Sequence, residues 1–104
     1  MNTNIENAAM ELIVHGGNAR SRSMEAIKAA KNGDIKKAKS KIKEAKDELS
    51  KVHDMQTSLI HNEAAGNKME VSLLMVHAQN HLMNAITIKD IAEQMIEMYE
   101  EFRK

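Results

Sequence analysis

No proline occurs anywhere in this chain of 104 residues, and glycine occurs only four times. Proline and glycine are the residues least favourable in helix interiors. Their scarcity allows very long helices. Aromatic residues, which favour β-strands, make up only 2% of the chain, whereas alanine, methionine, leucine, lysine and glutamate are plentiful. We therefore predict an all-α fold.

Two short turn signals divide the chain into three long segments with helical periodicity. The signals are Asn32-Gly33-Asp34 and Gly66-Asn67. Glycine can end a helix in the left-handed conformation, and Asp or Asn can cap the helix that follows. We predict helices at about residues 3–32, 34–65 and 68–102. Because short connections make neighbouring helices antiparallel, the segments predict an antiparallel three-helix bundle in a single domain, residues 1–104.

Local signals predict where the helices begin. Thr3 and Glu6 form a capping box for the first helix, and Asn67 with Glu70 resembles a cap for the third. The glycine pair at 16–17 lies midway along the first helix, where we expect it to bend or thin the helix.

Small and apolar residues recur at alternating gaps of three and four along the first two segments, as in a coiled-coil seam. In the first segment these are Ile5, Ala9, Leu12, Gly16, Ala19, Ser23, Ala26 and Ala30. In the second they are Ile35, Ala38, Ile42, Ala45, Leu49, Val52, Gln56 and Leu59. The opposite side of the second segment is rich in lysine, which predicts a solvated face or, alternatively, a docking surface for an acidic partner.

Composition narrows the classes of function. The formal net charge is zero, so overall electrostatics do not favour a nucleic-acid partner. Cysteine is absent, which excludes disulfides and thiolate metal sites. There is no apolar run of about 18 residues and no secretion signal at the start, so we expect a cytoplasmic protein.

The third segment contains LLMVHAQNHLMNAI, which is apolar on most sides but polar in its centre. At about 100° per residue, the polar side chains share one arc, formed by His77, Asn80, His81 and Asn84. Large apolar residues fall near the same azimuth further along: Ile88, Ile91, Met95, Met98 and Phe102. We therefore predict that the polar cluster lies in line with the core stripe. Since a small three-helix monomer cannot bury one helix completely, we also predict an oligomer in which copies of this helix pack together.

His77 and His81 lie one helical turn apart, so their rings can approach each other. Such a pair suits either metal binding or a nucleophile with a neighbour. Zinc would need further ligands, and the sequence HAQNH lacks the carboxylate of H-E-x-x-H. A phosphohistidine fits better, because a donor protein can bring an activated phosphoryl group. His53 and His61 are predicted at the surface, and His15 is predicted to be partly buried.

Three stretches together resemble a known family: GGNARSRSMEAIKAAKNGDIKKA, AKDELSKVHDMQTSLIHNEAAG and SLLMVHAQNHLMNAI. They are similar to the lactose/cellobiose-type enzyme IIA of the bacterial phosphoenolpyruvate-dependent sugar phosphotransferase system. The resemblance spans essentially the whole chain. It implies a homotrimer with the third helix near the axis, and a phosphorylated histidine at the first histidine of the VHAQNH motif, which is His77.

The resemblance also implies partners. The phosphocarrier protein HPr would donate the phosphoryl group, a cysteine of a cognate IIB component would accept it, and the membrane IIC component would act indirectly. The family motif usually has aspartate where this chain has Asn80, and those aspartates can hold a divalent cation near the trimer axis. Asparagine removes the charge, so we expect no required cofactor and no axial metal here.

Supporting roles remain open at three positions. His81 could orient the ring of His77, bind the phosphoryl group, or serve packing alone. Gln79 could support the site, although its azimuth is nearly opposite His77 and a neighbouring element would have to bring it there. Gln56 could place a buried amide near the bundle centre. Two other functions stay possible: a non-catalytic trimeric helical adaptor, and a histidine-based metal bundle.

Overall fold

The computed structural model describes residues 3–103, with the side chain of Thr3 left out. Three helices make up most of that range: α1 (Thr3–Lys31), α2 (Ile35–Ala64) and α3 (Leu73–Phe102). The described part of the chain contains no strand. It forms a rod of 53 × 21 × 19 Å. The all-α, three-helix prediction is therefore confirmed, and the predicted capping box of α1 lies outside the described side chains.

The connection between α1 and α2 forms as the sequence predicts. Gly33 has a φ of 89°, which an L side chain rarely adopts. The backbone N–H of Asp34 donates to the carbonyl of Ala29 at 2.9 Å, which closes the end of α1. The Asp34 carboxylate then accepts from the N–H of Lys37 at 3.0 Å and caps α2. Three residues thus end one helix and start the next.

The predicted start of α3 at about residue 68 is wrong, because α3 begins five residues later. The N-cap is Ser72, whose side chain accepts from the N–H of Met75 at 3.1 Å. The N–H of Met69, which a helix from residue 68 would have left for a local cap, donates instead to the carboxylate of Glu63 at 3.0 Å. This bond ties the connecting loop back to the end of α2, and Gly66 at φ 94° reverses the chain there.

Both predicted seams form the core. Every predicted seam residue of α1 and α2 is buried or half-buried. At mid-length the three helices meet through the alanines Ala19, Ala45 and Ala85, which leave little side-chain volume between the backbones. α1 packs along both other helices, whereas α2 and α3 contact each other over a smaller part of their length. A groove of about 770 Å³ remains between α2 and α3.

The predicted core stripe of α3 is wrong. Its buried side is the seam formed by Met75, Ala78, Leu82, Ala85, Ala92 and Ile96. Lys89 occupies the remaining seam position, where its ammonium contacts Asp90 at 2.6 Å and Glu93 at 3.1 Å. The hydrogen bond with Asp90 and the one with Glu93 raise the pKa of Lys89, so the charge is retained at the edge of the core. In the polar arc, His77, Asn80 and Asn84 are exposed, whereas His81 is half-buried.

The lysine side of α2 is largely exposed, which fits both a solvated face and a docking surface. Lys41 is half-buried, and its ammonium lies 3.1 Å from Glu25 on α1. Others pair across to α3, such as Lys39 with Glu100 at 2.8 Å. These pairs link helices at their exposed edges, where each is expected to add only a modest stabilisation.

A histidine and two carboxylates form a polar cluster between α1 and α2. The ring of His15 is half-buried, as predicted, with Nδ1 2.6 Å from Glu48 and Nε2 2.9 Å from Glu11. The Asn18 amide also donates to Glu48, at 3.3 Å. The hydrogen bond with His15, followed by those with Asn18 and Lys51, holds the pKa of the Glu48 carboxyl below its ordinary 4.5.

We expect Glu48→Gln to lower the free energy of unfolding by about 1 kcal/mol at neutral pH. A carboxyl whose pKa is lowered by folding stabilises the fold above its unfolded pKa, and this stabilisation is lost as pH falls from about 4.5 through the folded pKa. The difference between the wild-type and variant proteins should therefore shrink as the pH falls below 4.5 and vanish only below the folded pKa of Glu48. Urea unfolding at pH 7 and pH 3 measures both, with the exposed neighbour Asp47→Asn as control. A difference that stays constant with pH would contradict this account.

Candidate functional site

Two histidine rings form the chemical centre of α3. The rings of His77 and His81 stack with centroids 5.7 Å apart and planes inclined by 22°. His77 is exposed, while His81 is half-buried against α1. The one-turn spacing that predicted their approach is therefore observed. The pair combines an accessible ring with a second ring that limits its freedom to rotate.

The ring nitrogens of the pair are available for chemistry. Within residues 3–103, no hydrogen bond or ion pair to either ring is found. The late start at Ser72 also places His77 in the second turn of α3 rather than near its middle. Helical side chains lean towards the N-terminus, which is the positive end of the helix dipole and favours nearby negative charge. His77 lies one turn beyond the first, where this effect is already weaker.

The glycine pair of α1 faces this part of α3. A Cβ at Gly16 would lie 3.3 Å from the Cα of Leu82, so α1 and α3 touch backbone to backbone there. A Cβ at Gly17 would lie 3.2 Å from Nε2 of His81. α1 remains helical through both glycines. The pair permits close approach of the two helices.

The exposed side of α3 beside the histidines carries both asparagines and large apolar side chains. Asn80 and Asn84 are exposed. Large apolar side chains are also exposed along the helix, forming what we term the α3 stripe: Val76, Met83, Ile91, Met98 and Phe102. The side chain of Phe102 is 80% exposed. An apolar row of this length on a small protein is typical of an interaction surface.

Gln79 does not join His77 in the single chain. It is half-buried towards α2, where its Oε1 accepts from Nε2 of Gln56 at 3.1 Å. The Gln56 amide therefore sits half-buried between α2 and α3, and its Nε2 also lies 3.4 Å from the sulfur of Met83. A cavity of about 390 Å³ opens beside Gln79 and Asn80 at this edge of α3.

The described residues offer no preformed metal site. No group of three or more His, Asp or Glu side chains within residues 3–103 could hold a metal ion.

His53 and His61 are exposed on α2, as predicted. No helix within residues 3–103 is long and apolar enough to cross a membrane.

Sequence reasoning missed two residues that shape the site. Ser72 precedes the apolar run LLMV directly, and a serine in that position is a standard N-cap signal. Gly17 gave no comparable signal, because its partner is a side chain more than sixty residues away. A pattern within one segment cannot reveal a contact of that kind.

Comparison with known proteins identifies the family. Residues 7–100 match the family described as "PTS system, Lactose/Cellobiose specific IIA subunit". The chain belongs to this family. It is 56% identical over 101 residues to the lichenan-specific phosphotransferase enzyme IIA component of Bacillus subtilis, covering 97% of this chain and 92% of that protein.

Solved structures of other IIA proteins share the fold. The crystal structure of the cellobiose-specific enzyme IIA of Bacillus anthracis superposes with a TM-score of 0.91 at 44% identity, covering 99% of this chain and 94% of that one. The IIA(Chitobiose) protein of Escherichia coli, solved in complex with HPr, gives a TM-score of 0.80 at 38% identity, covering 96% and 97%. The chain is thus a IIA component of the lactose/cellobiose/chitobiose type.

Proposed function

We propose that this IIA component carries a phosphoryl group on His77. A nitrogen lone pair of His77 attacks phosphorus on phosphorylated HPr, and the new N–P bond forms as the bond to the donor breaks. The observation that carries the proposal is the exposed, hydrogen-bond-free ring of His77 within the described residues, stacked on His81. Exposure lets a second protein reach the ring, and an unpaired nitrogen can act as nucleophile.

The partners follow from the family. The related chitobiose protein has been solved bound to HPr, which supports HPr as donor here. The acceptor in our proposal is a cysteine of a cognate IIB component, and the membrane IIC component then handles a lactose-, cellobiose- or chitobiose-type sugar. The IIA chain would work in the cytoplasm and be recruited to that transporter.

His81 is proposed as the neighbour that orients the His77 ring or donates to a phosphoryl oxygen. The stacking of the two rings, with centroids 5.7 Å apart, supports the first role. The His81 ring makes no hydrogen bond within residues 3–103, which supports the second role. Gln79 would join a site only where another subunit brings a His77 to it, because in one chain its amide binds Gln56.

A homotrimer is the proposed assembly, with α3 near the axis. The α3 stripe leaves large apolar side chains in water in the single chain, and closed symmetric assembly would bury them. Asn80 lies on the same exposed side and would come close to its two copies. Amides can donate and accept among themselves, so the proposed trimer needs no cation at its axis.

Incubation with phosphoenolpyruvate, enzyme I and HPr tests the function directly. We expect one phosphate per chain that is labile in acid and stable in base, the behaviour of a phosphoramidate, and peptide mapping should place it on His77. Omitting HPr should prevent labelling. Absence of any label under these conditions would instead favour the non-catalytic helical adaptor.

A further inference from the structure

We propose that Gly17 is a positioning residue for phosphoryl transfer, because its missing side chain leaves room for Nε2 of the His81 ring that stacks on His77. The inference rests on the proposed phosphoryl transfer at His77. It concerns a residue on α1, which contributes no reactive atom and takes part in no bond that forms or breaks.

The backbone gives no reason for glycine at position 17. Among the described residues, positive φ angles occur only at Gly33 and Gly66, so position 17 has an ordinary helical conformation open to any L residue. Glycine in a helix interior is less favourable than alanine. What a Cβ at this position would meet within 4 Å is one atom, Nε2 of His81, at 3.2 Å. The glycine therefore serves that contact.

A change at position 17 would reach the His77 ring through the His81 ring that stacks on it. A Cβ contact at 3.2 Å is tighter than most, so the His81 ring would have to shift by a few tenths of an ångström. His81 is half-buried, its Nε2 lies against α1 at position 17, and its ring stacks on that of His77. A displaced His81 would thus move or release His77. An added methyl would also cover Nε2, the atom that can donate to a phosphoryl oxygen.

The neighbouring Gly16 provides a matched control. A Cβ at Gly16 would meet backbone atoms, with the Cα of Leu82 at 3.3 Å and its nitrogen at 3.5 Å. Backbone cannot swing aside, so Gly16→Ala must separate α1 from α3. Gly17→Ala meets the tip of a side chain and leaves the helices where they are. One substitution perturbs the fold, and the other perturbs a single imidazole.

The test compares the rate of phosphorylation by phospho-HPr in the wild type, Gly17→Ala, His81→Ala and the double variant. We expect Gly17→Ala to react about tenfold more slowly, since sub-ångström misplacement of reacting groups costs rate steeply. In the His81→Ala background the same change should have no further effect. The melting temperature of Gly17→Ala should not fall below wild type, while that of Gly16→Ala should. The imidazole NMR shifts of His77 should change in Gly17→Ala.

Equal slowing by Gly17→Ala with and without His81 would overturn the proposal, as would a wild-type rate. If Gly17→Ala fails to fold, restored folding in the double variant supports the contact, and failure of both overturns it. Failure of the proposed function is distinguishable: the wild type would then take up no label, while the His77 imidazole shifts in Gly17→Ala would still report whether the contact exists.

Discussion

Replacing His77 with alanine is expected to abolish phosphorylation completely while leaving the helical fold intact. In the proposed mechanism the phosphoryl group is bonded to this ring, so no other residue can substitute for it. The His77 side chain is exposed and, within residues 3–103, makes no hydrogen bond, so its removal should change the free energy of unfolding by less than about 0.5 kcal/mol. Radiolabelled phosphoenolpyruvate with enzyme I and HPr measures the label, and circular dichroism measures the fold.

Two other histidine variants complete that experiment. His61→Ala removes an exposed ring at the end of α2 and should be labelled like the wild type. His81→Ala should still be labelled, although more slowly, because the nucleophile remains while its stacked neighbour is lost. Residual label in His77→Ala, or loss of label in His81→Ala with full label in His77→Ala, would show that the phosphoryl carrier is another residue.

The fold was predictable where the residues on one helix face are clearly more apolar, or have smaller side chains, than those on the other faces. The alternating three-and-four spacing of α1 and α2 identified their buried sides correctly, and Asp34 beside Gly33 identified the turn. These signals act over one or two helical turns. They depend on backbone geometry and burial, which neighbouring residues determine together.

α3 was harder to predict because it is apolar on several sides. Its true seam has the same three-and-four spacing, from Met75 through Ala92 to Ile96, but Lys89 interrupts it. The lysine is tolerated because Asp90 and Glu93 hold its ammonium at the edge of the core. The start of the helix was missed because the local N-cap signal of Ser72 was overlooked, and because the carboxylate that binds the N–H of Met69 comes from α2. Asp90 and Glu93 lie on α3 itself, so the first error concerns ion pairs within one helix, and only the second involves a contact with another helix.

The candidate site divides in the same way. The HAQNH spacing alone predicted that His77 and His81 approach each other, because that relation lies within one helix. The contacts of Gln79 with Gln56 and of His81 with position 17 join different helices. Their geometry depends on how far apart the helices pack. That distance is set by glycines and alanines whose effect is not visible in the histidine motif.

Asn80→Asp is expected to make the proposed trimer dependent on a divalent cation. Asn80 is exposed on the same side of α3 as the apolar stripe, so a threefold axis there would bring three copies together. Two carboxylates about 4 Å apart repel each other by about 4 kcal/mol at an effective dielectric constant of 20, and a trimer contains three such pairs. The variant should dissociate in EDTA at neutral pH and reassemble with Mg²⁺ or Ca²⁺.

Light scattering of the wild type should give about three times the chain mass of 11.7 kDa, with or without EDTA. Asn62→Asp adds the same charge to the exposed end of α2 and should leave the mass unchanged. Acidification should partly restore the Asn80→Asp trimer without metal, because protonation removes the repulsion. A wild-type trimer that dissociates in EDTA would contradict the metal-free axis. A variant trimer that survives EDTA at neutral pH would show that residue 80 lies away from the axis. The α3 stripe would then be buried in an assembly whose axis passes through another part of α3.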